Sequence, residues 1–194
     1  ADLSAAEMDM PYGWTLDYIG ADAFAESPNL MSLSFSEGLA GFHVNAFRGV
    51  ESGFLMLALS GDTVPELLFN EGEAFDFGMS DVEMYVDCMF ADFTQEDLIR
   101  AWTLPMTGYG TLEDLRAAVA EDLGEDADAE EVNGALLERL FAAENRVRGL
   151  LWMDPAEGAA DMVFELPEEL LPPVNYDDQV VTLPDLSMDR PVVI

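Results

Sequence analysis

Gly53-Phe54-Leu55-Met56-Leu57-Ala58-Leu59-Ser60-Gly61 carries the clearest strand signal in the chain. Residues 54–59 are the longest hydrophobic run in the chain. The run is strand-sized, far short of the ~20 apolar residues that cross a bilayer. A glycine on either side punctuates it. With no polar face, it reads as a central strand covered on both sides.

Working upstream, Met31, Leu33 and Phe35 alternate with Ser32, Ser34 and Ser36, the period of a half-buried strand with a hydroxyl face. Phe42, Val44 and Ala46 alternate beyond Gly38 and Gly41. Tyr12, Trp14, Leu16 and Tyr18 place a stripe of large side chains on one face. Downstream, Val82, Met84, Val86 and Cys88 alternate with Glu83, Tyr85, Asp87 and Met89. The segments follow one another at ~8–12 residues, the spacing of an antiparallel meander. No repeat of fixed period is read along the chain.

Past residue 92 the texture becomes helical. Thr94 to Asp97 and Thr111 to Asp114 resemble capping boxes with Asp at the third position. The helices they open end before Pro105 and at Gly124. Asp128 caps a longer helix with Glu130 and Glu131 in its first turn and Arg146 and Arg148 at its end, the polarity that the helix dipole favours. Val132, Leu136, Leu140, Ala143 and Val147 form its apolar stripe, flanked by Leu137 and Phe141. Leu150–Met153 and Met162–Leu166 read as strands around an Asp154-Pro155 turn.

The expected fold is therefore α+β. An antiparallel sheet lies mostly within residues 12–90, and helices over about 94–147 pack on one of its faces. The chain, 1–194, reads as a single domain with residues 170–194 as an extended, Pro-punctuated arm.

Charge excludes more than it includes. The chain of 194 residues holds 40 Asp+Glu against 7 Lys+Arg, a net charge of −33, and all seven cations are arginine. Residues 1–99 carry 19 acids and the single Arg48; residues 100–194 carry 21 acids and six arginines. The acidity thus covers the chain rather than a tail. Apolar residues make up 50%, enough for a real core, so the charge does not imply disorder. Direct binding to nucleic acid is disfavoured, since it needs cations to displace counterions from phosphates. Anionic membrane surfaces are disfavoured likewise. Cations and basic protein surfaces are the partners that such a field attracts.

The chemistry-bearing residues are few. Without lysine there is no Schiff base and no phosphate-loop lysine. His43 is the one imidazole and lies in no nucleophile motif. Cys88, among acidic and apolar neighbours, reads as an inert thiol. One Cys and one His cannot build a structural zinc site. Read as a calcium loop from Asp126, the acidic run has Glu131 where glycine is required and Leu137 where the bidentate glutamate is required. Neither catalytic residues nor a cofactor are expected, and weak divalent-cation binding is the most that the acids imply.

The leading expectation is a non-enzymatic interaction protein that meets a basic protein partner, in its sharpest form as a nucleic-acid mimic or inhibitor. The acids assigned to that surface are Glu71, Glu73, Asp76, Asp81, Glu83, Asp87, Glu121, Asp122, Glu125 and Asp126. One alternative is a structural or assembly subunit of a virion or envelope complex, self-assembling through its C-terminal arm. Another is an exported protein with a salt-adapted surface that binds a cation or an apolar ligand. The Ala1-Asp2-Leu3 start fits signal removal and initiator-Met removal equally, so cytoplasmic and exported locations both remain open.

Overall fold

The computed structural model describes residues 7–9, 16–34, 38–50, 54–70, 83–158 and 161–167. Among the described residues, seven strands lead into three α-helices. The strands are β1 (Glu7–Asp9), β2 (Tyr18–Ile19), β3 (Ser32–Ser34), β4 (Gly41–His43), β5 (Phe54–Gly61), β6 (Glu66–Leu68) and β7 (Glu83–Ala91). The helices are α1 (Gln95–Trp102), α2 (Leu112–Leu123) and α3 (Ala129–Leu150), with a 3-10 turn at Pro105–Thr107.

Consecutive strands do not pair. Odd-numbered strands form one sheet in the order β1-β3-β5-β7, and even-numbered strands form a second, β2-β4-β6. Every pairing is parallel. The chain therefore winds as a flattened coil and lays one strand into each sheet per circuit. Glu7 pairs with Ser32, Tyr18 with Gly41, Ser32 with Met56 and Gly41 with Glu66. These circuits take about 24 residues and the last, from Phe54 to Glu83, takes 29, within the range of solenoid repeats. The α+β class stands, but the sheets are parallel and the antiparallel meander is corrected. The spacing that suggested a meander is half a circuit: each successive strand crosses to the other sheet.

The repeat, unread in the sequence, is explicit in the turns between sheets. Asp22-Ala23-Phe24 lies against Asn45-Ala46-Phe47. Backbone bonds run from Asp22 N–H to the Asn45 carbonyl and from Phe24 N–H to the Ala46 carbonyl. The Phe24 and Phe47 rings stack at 5.7 Å with an 8° interplanar angle. Glu26 N–H donates to the Arg48 carbonyl, and Arg48 Nε donates to Asp22 Oδ1 at 2.8 Å. Gly38 and Gly61 form a second stack, so close that a Cβ on Gly61 would lie 2.6 Å from the Gly38 Cα.

The core fills the space between the sheets. Leu33, Leu55, Leu57, Leu59, Met84 and Val86 point in from one side, and Ile19, Phe42 and Leu67 from the other. The outward side chains of β5, from Phe54 to Ser60, are only half-buried. The expectation of a strand covered on both faces is therefore corrected. β5 is central in its sheet, between β3 and β7, yet one face looks outward.

The helices do not lie across a sheet face as expected. α1 and the 3-10 turn pack on β6 and α3 packs on β7, the last strand of each sheet. Leu98, Ile99, Trp102, Ala143 and Val147 join the coil's own core, and Trp102 Nε1 donates to the Pro65 carbonyl at 2.7 Å. They cap the coil's end because its sides already shield one another, leaving the end as the apolar surface to cover. α2 lies on α3 around a second cluster of Leu115, Val119, Val132, Leu136 and Leu140.

The helix starts are as the sequence implies. Thr94 and Asp128 form reciprocal capping boxes, and the Thr111 hydroxyl accepts from Asp114 N–H. The two strands expected after α3 are absent among the described residues. Leu150 is the last residue of α3, and Met162–Leu166 is irregular backbone. Met162, Phe164 and Leu166 do share a side, and it packs on the α2–α3 cluster rather than beside a strand. Residues 170–194 lie outside the described part. No described helix is long and apolar enough to cross a membrane.

Candidate functional site

The outward face of the four-stranded sheet is the candidate site. Side chains alternate along each strand, so the inward leucines fix what points out. β3 presents Ser32 and Ser34, β5 presents Phe54, Met56, Ala58 and Ser60, and β7 presents Tyr85 and Asp87. Register places Ser32, Met56 and Tyr85 in one row and Ser34, Ala58 and Asp87 in the next. The face is thus apolar and aromatic at one end and hydroxyl- and carboxylate-bearing beside it. A register shift between Ala58 and Ser60 marks a bulge, after which Met89 and Phe90 stand 77% and 72% exposed. The Asp87 carboxylate turns back to accept from Met89 N–H at 2.8 Å.

Trp152 reaches this face from the end of α3. Its indole meets Tyr85 at 5.2 Å and 62°, and Phe54 at 5.9 Å and 73°. Edge-to-face contacts at these separations are favourable. The backbone that delivers it is unusual. Met153 N–H donates to the Arg148 carbonyl and Trp152 N–H to the Gly149 carbonyl, the Schellman closure that places a left-handed residue where glycine is usual. Here that residue is Trp152, with φ 56°, which costs roughly 1–2 kcal/mol for a residue with a Cβ. Even so, Trp152 is 59% exposed. Burial of the indole is far from complete, so it does not by itself account for the placement.

The segment that follows is fastened to α3. Glu144 is fully buried. Its Oε1 accepts from Arg148 Nε at 2.9 Å and Nη2 at 2.8 Å, and its Oε2 accepts from Val163 N–H at 3.2 Å. Asn145 Oδ1 accepts from Ala156 N–H at 2.7 Å. Asn133, three turns before Glu144 on the same stripe, is buried with its Oδ1 unpartnered.

The acids singled out in the sequence fall into separate places. Glu71, Glu73, Asp76 and Asp81 lie outside the described residues. Glu83 opens β7, at the register position of Phe54. Asp87 is on the sheet face. Glu121 and Asp122 are exposed near the end of α2, where Asp122 pairs with Arg139 of α3. Glu125 and Asp126 are exposed in the turn that follows. Thus Glu83 and Asp87 belong to the sheet and the last four to the α2–α3 turn. The site residues missed in the sequence are Phe54, Met56, Tyr85 and Trp152.

The chemistry-bearing residues sit in unremarkable surroundings. His43 Nδ1 accepts from Asn45 N–H at 3.1 Å. Burial, then the Asp87 charge, pushes the Cys88 thiol up to about 11, so it stays protonated near neutral pH. Among the described residues, no three or more His, Cys, Asp or Glu side chains converge as a metal site. A cleft of about 500 Å³ beside the 3-10 turn is lined by Phe69, Tyr109, Asp114, Ala118 and Glu121 among others. A shallow hollow of about 560 Å³ at the α2–α3 turn carries Asp126, Glu131 and Glu138. Comparison with protein-family models, curated proteins and solved structures finds no match.

Proposed function

We propose that the protein is a non-enzymatic binding protein whose anionic surface engages a basic protein partner. The observation that carries this is the fate of the one arginine before residue 100. Arg48 is held by Asp22 of the preceding circuit, which leaves residues 1–99 with 18 further acids and no second Lys or Arg. Such a field steers basic proteins in and repels nucleic acid and anionic lipid. The sheet face supplies what charge alone lacks, an apolar and aromatic centre beside polar side chains, the anatomy of a docking surface. The nucleic-acid-mimic form asks for a ladder of carboxylates. Of the two rows here, Ser34, Ala58 and Asp87 hold one acid and Ser32, Met56 and Tyr85 hold none, which favours the broader reading. The test is carboxyl-directed cross-linking in the native host at low salt, with the products identified by mass spectrometry. A basic domain linked through Asp87 is expected; recovery of no basic protein overturns the reading.

A second reading, an assembly subunit, is favoured by Met89 and Phe90. Both are exposed at the end of β7, the marginal strand of its sheet, and an apolar sheet margin invites strand addition. Sedimentation in 1 M salt, where mutual repulsion is screened, distinguishes the two. Assembly supports this second reading, and a monomer at high concentration removes it.

A further inference from the structure

We infer that Trp152, Tyr85 and Phe54 form an aromatic corner on the sheet face that seats an arginine side chain of the basic partner. The inference rests on the function proposed above and names its anchor. Three rings meet at 62° and 73° rather than lying in one plane. Tilted rings make a poor platform for a flat sugar face, but they offer a corner whose negative π-faces attract a cation. A guanidinium within about 6 Å of a ring centroid gains from that attraction, and arginine also stacks on aromatic faces. Met56 lies beside Tyr85 in register and offers soft apolar contact to the arginine stem. Asp87 lies two residues along β7 on the same face, where its carboxylate favours a cation over a neutral group.

The occupant follows from charge. A second copy of this chain brings another −33, and nucleic acid brings phosphates. A basic segment is the complement that both the field and the rings attract. The backbone points the same way. The left-handed position at the end of α3 suits glycine, yet it holds a large ring that stays 59% exposed over the sheet.

The test uses the full chain and a labelled peptide of alternating arginine and serine, eight residues long, at 50 mM salt. Its citrulline counterpart keeps the shape and lacks the charge, and a neutral oligosaccharide tests the platform alternative. The arginine peptide is expected to bind with salt-sensitive affinity and the other two not to bind. Trp152→Ala is expected to weaken the arginine peptide by about 3- to 30-fold, the range of a single cation–π contact. Trp152→Phe retains most of the affinity. Trp152→Gly guards against a folding artefact: it relieves the positive φ, keeps the cooperative melt and still loses binding. If the arginine peptide binds but ignores Trp152→Ala and Trp152→Gly, the anchor is overturned and the broader function stands. Equal binding of citrulline or oligosaccharide overturns the cation assignment. Failure of the arginine peptide to bind at all overturns both.

Discussion

Glu144 shows how much one side chain holds in place. Buried and paired with Arg148, it also receives the backbone of Val163. Removing one partner strands the other charge, so Glu144→Ala is expected to cost about 3–5 kcal/mol. Chemical denaturation reads that loss, and proteolysis should open residues 161–167 first. Asp97 carries the pH dependence at this scale. Backbone and hydroxyl donors of Thr94 hold its carboxyl below the ordinary 3.8. A depressed folded value stabilises above the unfolded pKa and is lost as pH falls through the folded one. Asp97→Asn is therefore less stable than wild type at pH 7, and the gap closes below pH 3.8 in urea melts. The caps were legible because Thr and Asp satisfy backbone donors within three residues of themselves. Trp152 was not. Leu150–Met153 read as a strand, whereas the helix runs to Leu150 and Trp152 follows in a left-handed turn. Asp154-Pro155, just beyond, was the better signal for the end.

At the scale of elements, the long strands β5 and β7 were readable, whereas the short β1 and β6, each of three residues, went unread, and no strand's partner was legible. Alternation in Phe54–Gly61 and Glu83–Ala91 reports which side is buried, a property of the strand itself. Pairing is set by residues a full circuit away, 23 to 25 positions in the early circuits and 29 from Phe54 to Glu83, and nothing in a strand's own period carries that distance. The distance was written in the turns. Asp22-Ala23-Phe24, Asn45-Ala46-Phe47 and Glu73-Ala74-Phe75 share an Ala-Phe step after a polar residue. The first two are stacked; the third lies outside the described residues. Alternation at Met162, Phe164 and Leu166 shows the converse: it marked a buried side, but the neighbour was a helix pair. Gly61 tests the coil directly. Its φ is 99°, and a Cβ there would meet the Gly38 backbone at 2.6 Å, whereas a Cβ on Gly38 meets ordinary contacts of 3.6 Å and more. Gly61→Ala is expected to cost about 2 kcal/mol or more, and Gly38→Ala markedly less, as read from denaturant midpoints.

For the whole molecule, the net charge of −33 opposes folding through self-repulsion. Self-repulsion is screened over about 10 Å at 0.1 M salt. The melting temperature is therefore expected to rise from 10 mM to about 0.3 M salt and then level off. A continued climb into multimolar salt would make the acidity an adaptation to brine and leave the partner unexplained. The charge was fully legible in the sequence; which acids share a face was not, because that depends on which strands share a sheet. The most direct test of the account is an NMR titration of the full chain with the arginine-serine peptide. Shifts confined to the Trp152 indole, Phe54, Met56, Tyr85 and Asp87 are predicted. Shifts centred on Glu121, Asp122, Glu125 and Asp126, or spread evenly over the acidic surface, would contradict it.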